Sequence, residues 1–222
     1  MRTFRRRFLA VGFASALMIG GALPTMAAEP PDPILLVHGW RGDPSTWTDT
    51  ITRFAAVGRT AVAIDLVSED NVVNAKAIAA YIVAKGWTRV DIVAQSMGGL
   101  SARQYIKILK PSVVDTYTSL GTPQYGIYGA CLLALSNGGQ MCPSSSFLRT
   151  LNSGDDTPGS VYWTTIYSRT DGLVPTSSSR LDGGACHVFE DPGVAHNDMD
   201  NNQAIFEHVL AAVDRTCAGT FK

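Results

Sequence analysis

The sequence predicts an α/β fold, a mostly parallel central sheet with helices on both faces. Short apolar runs alternate with segments whose apolar residues recur at helical spacing, the rhythm of strand–helix–strand units. Runs such as Ile34-Leu35-Leu36-Val37 are apolar throughout, as strands covered on both faces are. A turn of small residues, Ala94-Gln95-Ser96-Met97-Gly98-Gly99, separates one such run from a helical segment.

The elements follow in order along the 222 residues. Arg2, Arg5, Arg6 and Arg7 open the chain, Phe8 to Leu23 is apolar and small, and Pro24-Thr25-Met26-Ala27-Ala28 offers a cleavage site. That pattern predicts a secretory signal peptide over 1–28, because the apolar run is shorter than the ~20 residues of a membrane span. The expected location is therefore extracellular. Arg5-Arg6-Arg7-Phe8-Leu9 also resembles the twin-arginine export signal, so either export route fits. Residues 29–222 then form a single domain with no length left for a separate cap domain. Pro33–Val37 reads as the first strand, and Ser45 is placed to cap a helix running to about Ala56. Thr60–Ile64 is the second strand. Asn71–Lys85 carries Val72, Ala75, Ile78, Ala79 and Ile82 at helical spacing. Arg89–Ala94 is a third strand. A helix follows from Met97 to about Leu109, before Pro111. Val113–Leu120, Val161–Tyr167 and Ala185–Phe189 read as further strands, and Met199–Val213 as a closing helix. The segment Gly121–Gly159 breaks the rhythm. It has no clean strand, many Gly and Pro, and two cysteines. Loops this long in a compact domain are usually functional or cross-linked, and this one follows a strand's C-terminal end, where open α/β sheets bind ligands.

Hydrophobic residues make up 45% of the chain and charged ones 17%, enough apolar side chain for a sizeable core. The formal net charge of −1 argues against nucleic acid or an anionic membrane as partner, and no obligate protein partner is implied. Cys131, Cys142, Cys186 and Cys217 suggest disulfides in an exported chain. Three connectivities are open: Cys131–Cys142 would close a short loop, and Cys186–Cys217 would tie the C-terminal helix to a strand. A zinc site would need different spacing. There is no C-x-x-C pair, and only His187 stands beside a cysteine, so no metal is expected.

The chemistry is carried by the small-residue turn. Ser96 sits between a predicted strand and a predicted helix in the G-x-S-x-G nucleophile elbow, with Ala94 in the first place. Small neighbours allow the sharp turn, and the helix N-terminus aims free N–H groups and its positive dipole end at the reacting oxygen. In the α/β-hydrolase fold that this elbow marks, the loop after an early strand supplies one oxyanion-hole N–H and the residue after the nucleophile supplies the other. His38-Gly39-Trp40 is such a loop, so the expected donors are the backbone N–H groups of Trp40 and Met97. His38 precedes Ser96, against the order Ser, acid, His, and reads as a brace for the loop. Asp171 follows a strand end, where an acid can reach a histidine. Asp155 and Asp156 precede that strand, while Asp182, before Gly183-Gly184, and Asp191 are the remaining rivals. Among later histidines His187 lies in a strand and His208 mid-helix. His196 lies in a loop that can bring it over Ser96.

From Ile34 to Val213 the sequence resembles the bacterial class 2 lipases, minimal α/β-hydrolases typified by Bacillus lipases. The resemblance rests on Val37-His38-Gly39, Val90 to Gly99, Ile166 to Asp171, Ser179-Arg180-Leu181-Asp182-Gly183 and Gly193-Val194-Ala195-His196. It implies a triad of Ser96, Asp171 and His196, an oxyanion hole at Trp40 and Met97, and hydrolysis of triacylglycerol or simpler esters without a cofactor. Gln95 stands where those lipases usually carry His, Trp40-Arg41 replaces a smaller pair, and Gly126 to Cys142 matches poorly. An open groove is expected, with Trp40, Ile127, Tyr128, Leu132 and Leu133 at its mouth, suited to water-insoluble esters and to transient contact with a lipid interface. The same residues could equally belong to the core. A polyester depolymerase or an acyltransferase would use the same triad, and a non-catalytic binding protein could be built on the same scaffold.

Overall fold

The computed structural model describes residues 31–109 and 111–221. The expected signal peptide lies outside the described residues. The elements are β1 (Ile34–Val37), α1 (Thr48–Ala56), β2 (Ala61–Ile64), α2 (Asn71–Ala84), β3 (Val90–Gln95), α3 (Met97–Leu109), β4 (Val114–Leu120), α4 (Ser146–Leu151), β5 (Tyr162–Ser168), α5 (Thr176–Ser179), β6 (Ala185–Glu190), α6 (Gln203–Val213) and β7 (Thr220–Phe221). The strands form one sheet in the order β2-β1-β3-β4-β5-β6-β7. All neighbours are parallel except the β6–β7 pair.

The continuous apolar run of β1 is explained by its two covered faces. Leu35 and Val37 pack with Ile78, Ile92, Tyr105 and Trp163 beneath α2 and α3. Ile34 and Leu36 point the other way and pack with Trp47, Phe54, Val93 and Phe206 of the α1 and α6 side. The chain leaves β1 toward β2 and returns on the other side as β3. Beyond the C-terminal ends of β1 and β3 there is therefore a crevice, the place where open α/β sheets bind ligands.

Helix boundaries differ from expectation in two places. Ser45 does not cap α1. Asp43 accepts the Ser45 N–H at 2.7 Å, and Pro44–Trp47 form a 3-10 turn that runs into α1. Pro44 favours that earlier start because it needs no N–H partner. The last helix begins at Gln203, not Met199, because Asn202 caps it by accepting from the Ala204 and Ile205 N–H groups.

Residues 121–159 hold two 3-10 turns, Tyr128–Leu132 and Gly139–Met141, and the short helix α4. Cys131 and Cys142 are disulfide-bonded across them, and Cys186 in β6 is bonded to Cys217 after α6. No described helix is long and apolar enough to cross a membrane.

Candidate active site

Ser96 follows β3 directly with φ +54, a left-handed conformation that costs a residue with a Cβ. Its neighbours must be small because the end of β1 lies against them. A Cβ at Gly98 would stand 2.3 Å from the His38 carbonyl oxygen, and one at Gly39 would stand 2.8 Å from the Ser96 Cβ. This close approach lays His38-Gly39-Trp40 beside the serine. The Trp40 N–H has no acceptor among the described residues. The Met97 N–H is the first of α3 and so lacks an intrahelical partner. Both expected oxyanion donors thus sit on segments that meet at Ser96. His38 itself faces away: its Nε2 accepts the Leu66 N–H at 3.1 Å and its Nδ1 lies 3.0 Å from the Gly39 carbonyl oxygen, so it braces the loop.

Asp171 and His196 come from the C-terminal ends of β5 and β6. His196 Nε2 lies 2.9 Å from Ser96 Oγ, and His196 Nδ1 lies 2.8 Å from Asp171 Oδ2. The second Asp171 oxygen accepts the Leu173 and Val174 N–H groups at 2.9 and 2.6 Å, which fixes the carboxylate plane. The Asp171 carbonyl also accepts the His196 N–H at 3.1 Å. An imidazole so held can take a proton from the hydroxyl while the carboxylate steadies its other nitrogen. Of the rival acids, Asp156 pairs with Arg103 and Lys107, and Asp191 with Arg169. His187 lies 2.9 Å from Thr165 Oγ1, and His208 pairs with Glu190.

A sequence model of the class 2 lipases matches residues 70–213, from just before α2 to the end of α6. The chain belongs to the class 2 lipase family. A class 2 lipase is a carboxylic-ester hydrolase. Among solved structures it is similar to the mature form of the Bacillus licheniformis lipase BlEst2, with a TM-score of 0.70 and 17% identity over 87% of this chain and 96% of that one. It is also similar to MGS-MChE2, an α/β hydrolase from a metagenome of lagoon sediments at Mar Chica, Morocco (TM-score 0.62, 18% identity, 81% of this chain and 89% of that one). The carboxylesterase CesB of Bacillus subtilis matches with a TM-score of 0.57 and 12% identity, over 86% of this chain and 85% of that one. At such identities these likenesses establish the α/β-hydrolase fold. No curated protein matches this chain.

Gly172 and Leu173, which follow Asp171 in the chain of this class 2 lipase, line a cleft of about 590 Å³ together with Tyr125, Ile127, Tyr128 and Pro175. Of the expected groove residues, Ile127 and Tyr128 line it, while Leu132 and Leu133 are not among its lining residues. Leu132 stands in solvent. Leu133 lies over Gly138, against which the Trp40 indole also packs. Leu132 is carried outward, while the interior of its loop is filled by Ala130 and Met141, packed on Met97 and Leu100.

Two residues of the site carry no motif. Gln95 donates from Nε2 to the His196 carbonyl at 3.1 Å, tethering the histidine loop to β3. Gly121, with φ +55, lets the chain pass the Asp–His pair: a Cβ there would stand 2.7 Å from Asp171 Oδ2 and 3.1 Å from His196 Nδ1. A glycine placed directly after a strand end was the one local hint of that closeness.

Proposed function

We propose that this class 2 lipase is a secreted serine hydrolase that cleaves lipid or simpler carboxylic esters through an acyl-enzyme. The reading rests on one observation, the hydrogen-bonded line from Asp171 through His196 to Ser96 at 2.8 and 2.9 Å. Ser96 Oγ attacks the ester carbonyl carbon while His196 Nε2 takes its proton. The oxyanion is held by the Trp40 and Met97 N–H groups. Collapse expels the alcohol, which takes the proton from His196. Water, deprotonated by the same imidazole, then attacks the acyl carbon, and the acid leaves as Ser96 recovers its proton. Asp171 holds the imidazole tautomer and stabilises the imidazolium. Export is supported by the arginine-led apolar leader and by two disulfides, which persist in oxidising surroundings.

Ser96→Ala should lower kcat on a p-nitrophenyl ester by on the order of 10⁶ and abolish covalent labelling by a fluorophosphonate. Retention of most activity, or labelling at another residue, refutes the assignment.

A further inference from the structure

We infer that the cavity at the β6–β7 edge of the sheet is a second binding site, one for an organic carboxylate with an apolar body, of which a medium-chain fatty acid is the simplest case. The cavity shares no lining residue with the cleft that follows Asp171, and none of the candidate triad lines it. Binding there does not depend on Ser96 being the nucleophile.

A cross-link and a short strand build the cavity. Cys217 is bonded to Cys186 in β6, and the residues that follow it run back along that strand as β7. Gly219 permits so close a path, since a Cβ there would clash with the His187 carbonyl oxygen. β7 pairs only with Cys186 and His187, so β6 continues from Val188 to Glu190 with no strand on that side among the described residues. The space left at this edge measures about 390 Å³ and is lined by residues of β5, β6 and α6 and by Arg180, which follows α5. His187 is held in its wall with Nδ1 2.9 Å from Thr165 Oγ1.

Two observations choose the ligand. The first is charge. Among the described arginines, Arg180 alone has no hydrogen bond, ion pair or aromatic ring at its guanidinium. Among the described residues no aspartate or glutamate lines the cavity, and Glu190 at the end of β6 is held by His208 Nε2 at 2.5 Å. A guanidinium with no counter-ion favours an anion, and its planar fork matches a carboxylate. The second is apolar surface. The Tyr167 and Phe189 rings lie 5.4 Å apart in the same lining, and Phe189 is 44% exposed. A small inorganic anion would leave those rings in water, whereas an acid with a hydrocarbon body covers them. An acid of this class is what carboxylic-ester hydrolysis releases.

The test is calorimetric titration of the parent protein with sodium octanoate, which should show one saturable site. Arg180→Gln, which keeps a polar side chain and removes the charge, should weaken octanoate binding about tenfold or more, the scale of a lost charge-assisted hydrogen bond. Arg180 is exposed, so this change leaves the packed interior intact. Phe189→Ser should weaken octanoate in the same direction. Sodium phosphate, a charge without the apolar body, and 1-octanol, the body without the charge, should each bind about tenfold more weakly than octanoate or not at all. Leu173→Ser, in the cleft, should leave octanoate binding within twofold, which places the acid outside the cleft. The titrations are repeated in the Ser96→Ala background, so the site is scored even if the catalytic assignment falls. No saturable binding, equal binding by the parent and Arg180→Gln, phosphate or octanol bound as tightly as octanoate, or a loss on Leu173→Ser in place of Arg180→Gln overturns the inference.

Discussion

At Gly121 the backbone passes the Asp171–His196 hydrogen bond with no room for a methyl group. Alanine there adds two penalties, a positive φ on a residue with a Cβ and a wedge against the Asp171 carboxylate. Gly159, at φ +83 with nothing within 4 Å of a Cβ, would suffer only the first. Gly121→Ala should therefore lower kcat at least a hundredfold by displacing the imidazole, whereas Gly159→Ala should leave kcat unchanged while both lose stability. Equal kcat in the two variants would show that the wedge is absorbed. The difference between these glycines is invisible in the sequence, because it depends on Asp171 and His196 arriving from far along the chain. Ser96, Asp171 and His196 were legible for the opposite reason. Each sits in local context that announces it: an elbow between strand and helix, a strand end, a loop before the closing helix. Gln95 stood out only as a departure from the family habit, and its bond to the His196 carbonyl is a matter of folding rather than of motif.

Elements were legible where burial is two-sided or periodic. The first six strands lie where apolar runs placed them, since each central strand must hide both faces under helices. Capping decided the helix ends, and there hydrophobic pattern misleads. Met199 looks like the start of the last helix because it is apolar, yet it is buried before the helix begins, and Asn202 sets the true start. The antiparallel β7 was unreadable, being two residues paired to Cys186 and His187. Its position follows from the Cys186–Cys217 bond, which brings the segment after α6 back to β6. On chain-entropy grounds a loop with sequence separation 31 gives about 4 kcal/mol of stabilisation and the one with separation 11 about 3 kcal/mol. The longer loop thus holds the fold more strongly, and the shorter holds the surface beside the cleft.

The whole molecule carries a charge cluster at the opposite end of the sheet from the candidate site. Asp32, Asp91 and Asp115 bring carboxylate oxygens within 4.8 Å of one another, answered by Arg59, Arg89 and Arg215. Burial pushes Asp91 up to about 7, against the pull of the Thr116 hydroxyl and of Arg59 at 2.9 Å. Burial also pushes Asp200 up to about 6. Between the usual carboxylate value of about 3.9 and these raised values the native protein holds protons that the unfolded chain has released. Their stabilising contribution is complete below about pH 4 and is lost as pH rises through about 6 and 7, with a slope of up to about 1.4 kcal/mol per pH unit for each proton. Urea midpoints should accordingly fall from pH 5 to pH 8. Asp91→Asn, which keeps an acceptor for Thr116, should flatten that fall, and an unaltered slope in the variant would remove Asp91 as its source.

Heat resistance and turnover pull against each other at a single dihedral. The proposed nucleophile Ser96 holds φ +54, a conformation that costs a side-chain-bearing residue roughly 1–2 kcal/mol. Glycine and alanine should abolish activity equally, yet only glycine relaxes the backbone. Thermal melts should rank Ser96→Gly above Ser96→Ala by a few degrees, and the reverse ranking would mean that the sharp corner is comfortable. Under the proposed mechanism, selection for durability alone would erode this corner first, and selection for catalysis would preserve it.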